Sequence, residues 1–246
     1  MQIKRREVGL TVDHSLMRLY LAEPAAPGQY PGIVFYSDIY QLGGPIVRLA
    51  DRLAGYGYVV AAPEIFHRLE PIGTVIEPSD LGRLRGNDAA SRTAVAQYDA
   101  DTDAALGWLQ TCASVAPGQV GALGFCIGGH LAARAALNPG VRAAVGCYPT
   151  GIHSGKLGCD RANTLERLGE ISGRLLLIFG DQDPHVPAEG RATLLNALAT
   201  AGVDHQSLIY PANHTFMRDD GYRYDPAATD AAWAKIIAFL KASFSA

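Results

Sequence analysis

One glycine-framed cysteine constrains this chain more than any other feature of its sequence. Residues 120–123 form a short apolar run that predicts a buried strand, and the segment from Leu131 onward predicts a helix. The turn between them is Gly124-x-Cys126-x-Gly128. A nucleophile on such a sharp turn has a strained backbone, and its neighbours two residues away must lack bulky side chains. The pattern therefore predicts a nucleophile elbow that presents the Cys126 thiol.

The same turn favours chemistry at the sulfur of Cys126. The thiol points toward the positive end of the following helix, which favours a thiolate. The backbone N–H of Ile127 would then point to where an oxyanion forms. A strand-to-helix turn can also hold its cysteine as a small buried hydrophobic residue. This stretch alone leaves both interpretations open.

Strands and helices alternate along the rest of the chain, which predicts one α/β domain over residues 1–246. Further strands are expected at 8–12, 16–22, 33–36, 58–62, 141–146, 175–180 and 205–210. Further helices are expected at about 46–55, 93–111, 188–201 and 227–243. Residues 64–92 and 147–173 show no clear period. We expect the first to be a long irregular connection and the second to lie over the site, irregular or briefly helical.

Composition and charge exclude several classes of partner. The net charge is −3 and the sequence pI is near 6.1, so neither nucleic acid nor an anionic membrane is expected to bind. Residues 1–7 are basic, but no long apolar run follows them, so we expect neither a secretory signal nor a membrane span. The four cysteines lack paired metal-ligand spacing. We interpret them as free thiols in a reducing cytoplasm, with no metal site.

Two later strand ends carry the residue types that a reactive thiol needs. Asp181 and Asp183 follow the strand at 175–179, and His214 follows the strand at 205–210. A thiol needs a base within hydrogen-bonding reach, and that base needs a carboxylate on its other nitrogen. Asp183 lies deeper in its loop than Asp181, which is expected to close the turn. We predict a triad of Cys126, His214 and Asp183, with a backbone-bonded turn histidine and a helix-capping aspartate as the alternatives.

With these residues in place, the chain resembles the dienelactone hydrolases, the cysteine-nucleophile branch of the α/β-hydrolases. The resemblance covers almost the whole chain and rests on three motifs. They are Gly-Phe-Cys-Ile-Gly-Gly-His at the elbow, Gly180-x-x-Asp183-x-x-Val186-Pro187, and Tyr210-Pro211 leading to His214. It implies an α/β-hydrolase fold, with a mostly parallel central sheet and helices on both faces. It also implies a cofactor-free enzyme that opens an ester or lactone through an S-acyl intermediate.

The loop after the strand at 33–36 gains candidate roles from the resemblance. It implies that the N–H of Ile39 joins that of Ile127 in the oxyanion hole. The family glutamate that holds the resting thiol and helps to deprotonate it corresponds to Asp38, which is one methylene shorter. A plain turn aspartate is the alternative for Asp38. Tyr40, in the same loop, is a further candidate for substrate binding.

The resemblance also implies two arginines that grip a substrate carboxylate. Arg218 follows His214 by four residues, as one of these arginines does, and its planar guanidinium suits bidentate capture of a carboxylate. Arg83, Arg85 and Arg92 compete for the second place, and Arg85 is preferred by its distance along the chain. A solvated surface arginine is the alternative for each of them.

The predicted protein is thus a cytoplasmic monomer or homodimer that acts on a small-molecule lactone or ester. A broader carboxylesterase is one alternative. A redox-reactive thiol or a non-catalytic binding protein on the same fold is another. No second cysteine lies near Cys126 in the sequence to resolve a sulfenic acid, although Cys147 could be close in space. The intact histidine and aspartate positions favour hydrolysis.

Overall fold

An eight-stranded sheet forms the centre of the molecule, which a computed structural model describes over residues 1–245. Its strands in spatial order are β1-β2-β4-β3-β5-β6-β9-β10, and the short β7 and β8 form a separate antiparallel ribbon. β1 and β2 pair antiparallel to their neighbours, and the remaining strands are parallel. The strand bounds are β1 Ile3–Val12, β2 Ser15–Pro24, β3 Tyr30–Tyr36, β4 Val59–Pro63, β5 Val115–Phe125, β6 Val141–Cys147, β7 Lys156–Leu157, β8 Asp160–Arg161, β9 Arg174–Gly180 and β10 His205–Tyr210.

Helices cover both faces of this sheet. Their bounds are α1 Gly44–Gly55, α2 Asp80–Arg92, α3 Val95–Thr111, α4 Ile127–Ala135, α5 Ala188–Thr200 and α6 Pro226–Phe244. One core cluster receives Leu53 of α1 and Trp233 of α6. The other receives Leu106 of α3, Leu131 of α4 and Leu194 of α5. The predicted α/β class, with a mostly parallel sheet between two helical layers, is confirmed.

The strand β9 shows why the central strands are apolar throughout. Leu175, Leu177 and Phe179 contribute to one core cluster. Leu176 and Ile178 contribute to the other. Because successive side chains of a strand point to opposite faces, a strand covered on both faces has no position left for a polar residue.

The prediction of an irregular connection over residues 64–92 is wrong for its second half, which forms α2. This helix lacks the apolar periodicity that reveals most helices, because it buries only small residues: Gly82, Gly86 and Ala89. A start signal was nevertheless present. The Ser79 hydroxyl oxygen accepts a hydrogen bond from the Gly82 N–H at 3.1 Å, as expected for an N-cap. Residues 148–173 are irregular with two brief 3₁₀ turns, as predicted, and they also hold the β7–β8 ribbon, which the sequence did not predict.

The parallel strands bring four chemically important loops to one edge of the sheet. The strands β3, β5, β9 and β10 run in the same direction, so their carboxyl ends lie along this edge. The residues after these ends are Asp38, Cys126, Asp183 and His214. Among residues 1–245, no helix is both long and apolar enough to cross a bilayer.

Candidate active site

The turn that carries Cys126 is as sharp as its glycines predict. Cys126 lies between β5 and α4 with φ 59° and ψ −121°, a combination that side chains with a Cβ rarely adopt. A Cβ at Gly124 would lie 1.9 Å from the carbonyl oxygen of Gly128. A Cβ at Gly128 would lie 2.2 Å from the carbonyl oxygen of Ser37. The backbone segments touch here, so neither glycine position can hold a side chain.

A chain of hydrogen bonds joins Cys126, His214 and Asp183. Nε2 of His214 lies 3.2 Å from Sγ of Cys126, and Nδ1 lies 2.7 Å from Oδ2 of Asp183. The other oxygen of Asp183 accepts the backbone N–H of His185 at 2.7 Å. Asp181 is exposed, and its own N–H bonds the carbonyl of Tyr210 at the turn. The structure therefore brings together the three side chains that the sequence singles out and leaves Asp181 outside.

The charges of His214 and of its two partners stabilise one another. Burial by itself would lower the pKa of His214, but the Cys126 thiolate and the Asp183 carboxylate raise it to about 10. Burial would raise the pKa of Asp183, yet the hydrogen bond from His214 lowers it below the ordinary aspartate range. The Cys126 sulfur and the Asp183 carboxylate together therefore favour a charged His214 imidazole.

Two further rings fix the orientation of the His214 imidazole. The Tyr148 ring meets it edge-on at 5.2 Å between centroids, and the His185 ring does so at 4.6 Å. Burial, followed by the charge on His214, lowers the pKa of His185. His185 also lines the cavity described below.

Asp38 is paired with Arg218 rather than with the thiol. Its Oδ2 accepts the Arg218 guanidinium at 2.7 Å, and its Oδ1 accepts the Tyr40 N–H at 2.9 Å. Burial raises the pKa of Asp38, while Arg218 and the Tyr40 N–H oppose that rise. Both carboxylate oxygens are thus engaged. The contact with the resting Cys126 thiol that the resemblance implies is not formed, because the short side chain is held by Arg218 and the thiol bonds to His214.

Arg218 reaches the site but is already compensated. It is only 6% exposed, and besides Asp38 it pairs with Asp220, whose Oδ1 lies 2.8 Å from its Nε. Its guanidinium also stacks over the Tyr40 ring, 4.8 Å from the centroid. Both Arg218 and Tyr40 line the cavity above Cys126. A substrate carboxylate at this guanidinium would therefore have to compete with two aspartates.

The preference for Arg85 as the second arginine is wrong. Its side chain is 54% exposed, lies outside the cavity lining and donates to Glu70 at 2.8 Å. Arg83, one of the alternatives, lines the cavity instead. The two residues belong to α2, where two positions along the helix turn the side chain by about 200°. Arg92 pairs with Asp88 and also lies outside the lining.

Ile39 and Ile127 flank Cys126 from neighbouring strand ends. Ile39 follows β3, and Ile127 is the first residue of α4, directly after β5. The N–H of the first residue of a helix has no partner within that helix. Both residues line the same cavity as the thiol. This placement allows two backbone N–H groups to face one oxygen atom.

A cavity of about 1010 Å³ opens above the thiol. Its floor holds Cys126 and His214, and its walls come from α2 and from residues 154–161 and 220–223. These walls include segments that the sequence predicts to lie over the site. Lys156 and Arg223 at its edge are basic residues that the sequence did not reveal, because polar loop residues carry no periodic signal.

Comparisons with known proteins identify the family and the fold of this chain. The sequence profile of the dienelactone hydrolase family matches residues 17–244. A candidate carboxymethylenebutenolidase of Saccharomyces cerevisiae is 36% identical over 227 residues, covering 87% of this chain and 82% of that protein. Another from Synechocystis is 32% identical over 218 residues, covering 88% of each. The crystal structure of a candidate dienelactone hydrolase from Klebsiella pneumoniae superposes with a TM-score of 0.83 at 25% identity, covering 98% of this chain and 99% of that one. The chain belongs to the dienelactone hydrolase family and has its α/β-hydrolase fold.

Proposed function

We propose that Cys126, His214 and Asp183 act as a catalytic triad that hydrolyses a lactone or ester through an S-acyl enzyme. Membership of the family makes the chain a hydrolase of the ester or lactone type. The triad and the S-acyl enzyme are what we propose beyond that. The observation that supports it is the continuous hydrogen-bonded chain, 3.2 Å from thiol to imidazole and 2.7 Å from imidazole to carboxylate, at the floor of the cavity.

In the first half of the reaction, the Cys126 thiolate attacks the carbonyl carbon. A carbon–sulfur bond forms and the carbonyl electron pair moves to oxygen, where the N–H groups of Ile39 and Ile127 stabilise it. When the carbonyl reforms, the carbon–oxygen bond of the ester breaks. The departing alkoxide takes the proton from Nε2 of His214. In a lactone, this alcohol remains attached to the acyl group.

In the second half, water releases the acid. His214, now neutral, takes a proton from water, and the resulting hydroxide attacks the thioester carbon. The carbon–sulfur bond then breaks, and the thiolate returns beside the imidazolium. Asp183 keeps the proton of His214 on Nδ1, so that Nε2 faces the thiol throughout. Its lowered pKa keeps the carboxylate charged.

For the substrate, we propose a small molecule that carries its own carboxylate. Arg218 and Tyr40 line the cavity beside the thiol, and Arg83 lies on the opposing α2 wall. A substrate carboxylate at Arg218 would release Asp38. The raised pKa of Asp38 would then suit it to accept the proton of any Cys126 that is still a neutral thiol when the substrate binds, which supplies the thiolate that attacks. Asp38 thus keeps a proposed role in activating the thiol, although it does not hold that thiol at rest.

A broader carboxylesterase is the second candidate. The cavity volume of about 1010 Å³ lies at the upper end of the range of roughly 300–1,000 Å³ that suits drug-sized ligands. Asp38 and Asp220 also compensate the charge of Arg218 without a substrate. Both observations favour larger and neutral esters. In either case we propose a cytoplasmic enzyme, because all four cysteines are free thiols. We also propose that it needs no cofactor, because the triad itself supplies the nucleophile and the base.

A panel of small lactones and activated esters, with and without a carboxylate, tests the proposal. Wild type is expected to release one equivalent of alcohol in a burst from a good acyl donor, followed by slower turnover. Cys126→Ala is expected to reduce both to background. Turnover retained by Cys126→Ala would rule out the S-acyl mechanism. Selectivity for the charged members of the panel favours the first candidate, and its absence favours the carboxylesterase.

A further inference from the structure

The peptide between Ile39 and Tyr40 is clamped between the site and α2. Its N–H donates to Oδ1 of Asp38 at 2.9 Å. Its carbonyl oxygen faces Gly86 of α2 so closely that a Cβ at position 86 would lie 2.5 Å from it and 3.0 Å from the Cβ of Ile39. Contacts of 2.5 Å do not occur between real atoms of these types, so any side chain at 86 would displace this peptide.

Gln41 ties the same loop to the segment before α2. Its side chain is 1% exposed, and its amide donates to the carbonyl of Thr74 at 3.0 Å while accepting the N–H of Phe66 at 3.2 Å. Its φ of 61° is uncommon for a residue other than glycine and persists only where the surroundings hold it. The N–H of Ile76 adds a bond to the carbonyl of Tyr40 at 3.2 Å.

We propose that Gly86 and Gln41 are positioning residues that aim the N–H of Ile39 at the oxyanion of the reaction. Neither residue lines the cavity, so neither is expected to touch the substrate. A Cβ at position 86 would press on both the carbonyl oxygen and the Cβ of Ile39, so the Cα of Ile39, which carries its N–H through the neighbouring planar peptide, would have to move. This inference rests on the proposed function, because the oxyanion forms only if Cys126 attacks a carbonyl.

Gly86→Ala separates this role from a general structural one. A misplaced oxyanion donor is expected to lower kcat for an activated ester by roughly ten- to a hundredfold, with KM little changed. Alkylation of Cys126 by iodoacetamide forms no oxyanion and is expected to stay within about twofold of wild type. The ratio of kcat for an oxoester to kcat for the corresponding thionoester should fall in this variant. Sulfur is a weak hydrogen-bond acceptor, so the thionoester gains little from the N–H groups in the wild type and loses little in the variant.

Gly107→Ala is the matched control. Gly107 lies in α3, and a Cβ there would meet no atom within 4 Å, so this variant changes helix propensity alone. Gln41→Met keeps the side-chain length but removes both amide bonds. It is expected to lower kcat while leaving the alkylation rate of Cys126 unchanged, as Gly86→Ala does. Thermal unfolding shows whether Gly86→Ala folds, and Gln41→Met provides a second test if it does not.

The outcomes distinguish the inference from the function on which it rests. If Gly86→Ala and Gln41→Met both match Gly107→Ala in kcat, the inference is wrong and the triad stands. Equal losses of turnover and of alkylation would also overturn it, since the residues would then support the whole site. Turnover retained by Cys126→Ala, measured alongside, would overturn the proposed function and this inference with it.

Discussion

Replacing Arg218 tests both the buried ion pair and the proposed recognition of substrate charge. Arg218→Met keeps most of the apolar contact with Tyr40 but removes the guanidinium that lies 2.7 Å from Asp38. Asp38 is 3% exposed and would keep only the Tyr40 N–H as a partner. Removing one member of a buried pair costs about 3–5 kcal/mol of unfolding free energy. We expect a loss of about 3 kcal/mol at neutral pH, measured by urea unfolding.

The pH dependence of that loss identifies its cause. Burial already raises the pKa of Asp38, and the loss of Arg218 removes the strongest interaction that opposes this rise. A carboxyl group whose pKa is higher in the folded than in the unfolded state binds more protons when folded, so its presence destabilises the fold increasingly as pH rises. The deficit of Arg218→Met should therefore shrink as the pH falls toward the ordinary aspartate range. Adding Asp38→Asn should restore most of the stability at neutral pH.

Activity measurements on the same variant address the substrate. A charge-assisted pair shielded from water contributes about 1.5–3 kcal/mol, so kcat/KM for carboxylate-bearing lactones should fall roughly tenfold or more. Neutral esters of similar size should change little. Arg218→Lys should only partly restore activity, because an ammonium lacks the planar fork. Equal losses for both substrate classes would show that Arg218 supports the structure around His214, and the absence of any loss would refute its role in binding.

Three further substitutions address the groups around the thiol. Cys126→Ser should acylate much more slowly than the wild type, because a hydroxyl needs stronger help from a base than a thiol does. A single-turnover assay with an activated ester measures this rate. Asp38→Asn should slow acylation and change the pH dependence of iodoacetamide alkylation, and identical alkylation profiles would rule out a role for Asp38 in activating the thiol. Asp183→Asn should lower kcat at least about a hundredfold. It should also move the alkaline fall of kcat/KM to lower pH, since the Asp183 carboxylate helps to raise the pKa of His214 to about 10. If the alkaline fall of kcat/KM stays at the wild-type pH, Asp183 does not raise the pKa of His214.

The features that the sequence predicts best are those that backbone geometry alone dictates. Gly124 and Gly128 can be inferred because no side chain fits where the strand and helix touch. The buried strands are evident because both faces of the sheet are covered. The meeting of Cys126, Asp183 and His214 follows from parallel strands that place their carboxyl ends side by side.

What the sequence could not predict depends on contacts between distant segments. The helix α2 buries glycine and alanine, so its pattern lacks the apolar stripe on which recognition relies. Without that helix, nothing in the sequence separates the cavity-facing Arg83 from Arg85, which pairs with Glu70. The pairing of Asp38 with Arg218 joins residues 180 positions apart and depends on how two loops meet.

The backbone conformation of Cys126 lowers the stability of the fold but is required for activity. With φ 59° and ψ −121°, the residue occupies a conformation that glycine adopts freely and that costs other residues on the order of 1–3 kcal/mol. A glycine at this position would relieve that cost while removing the thiol. Mutational drift that preserves folding alone therefore has a favourable path away from the nucleophile, and only selection for turnover can hold a cysteine there.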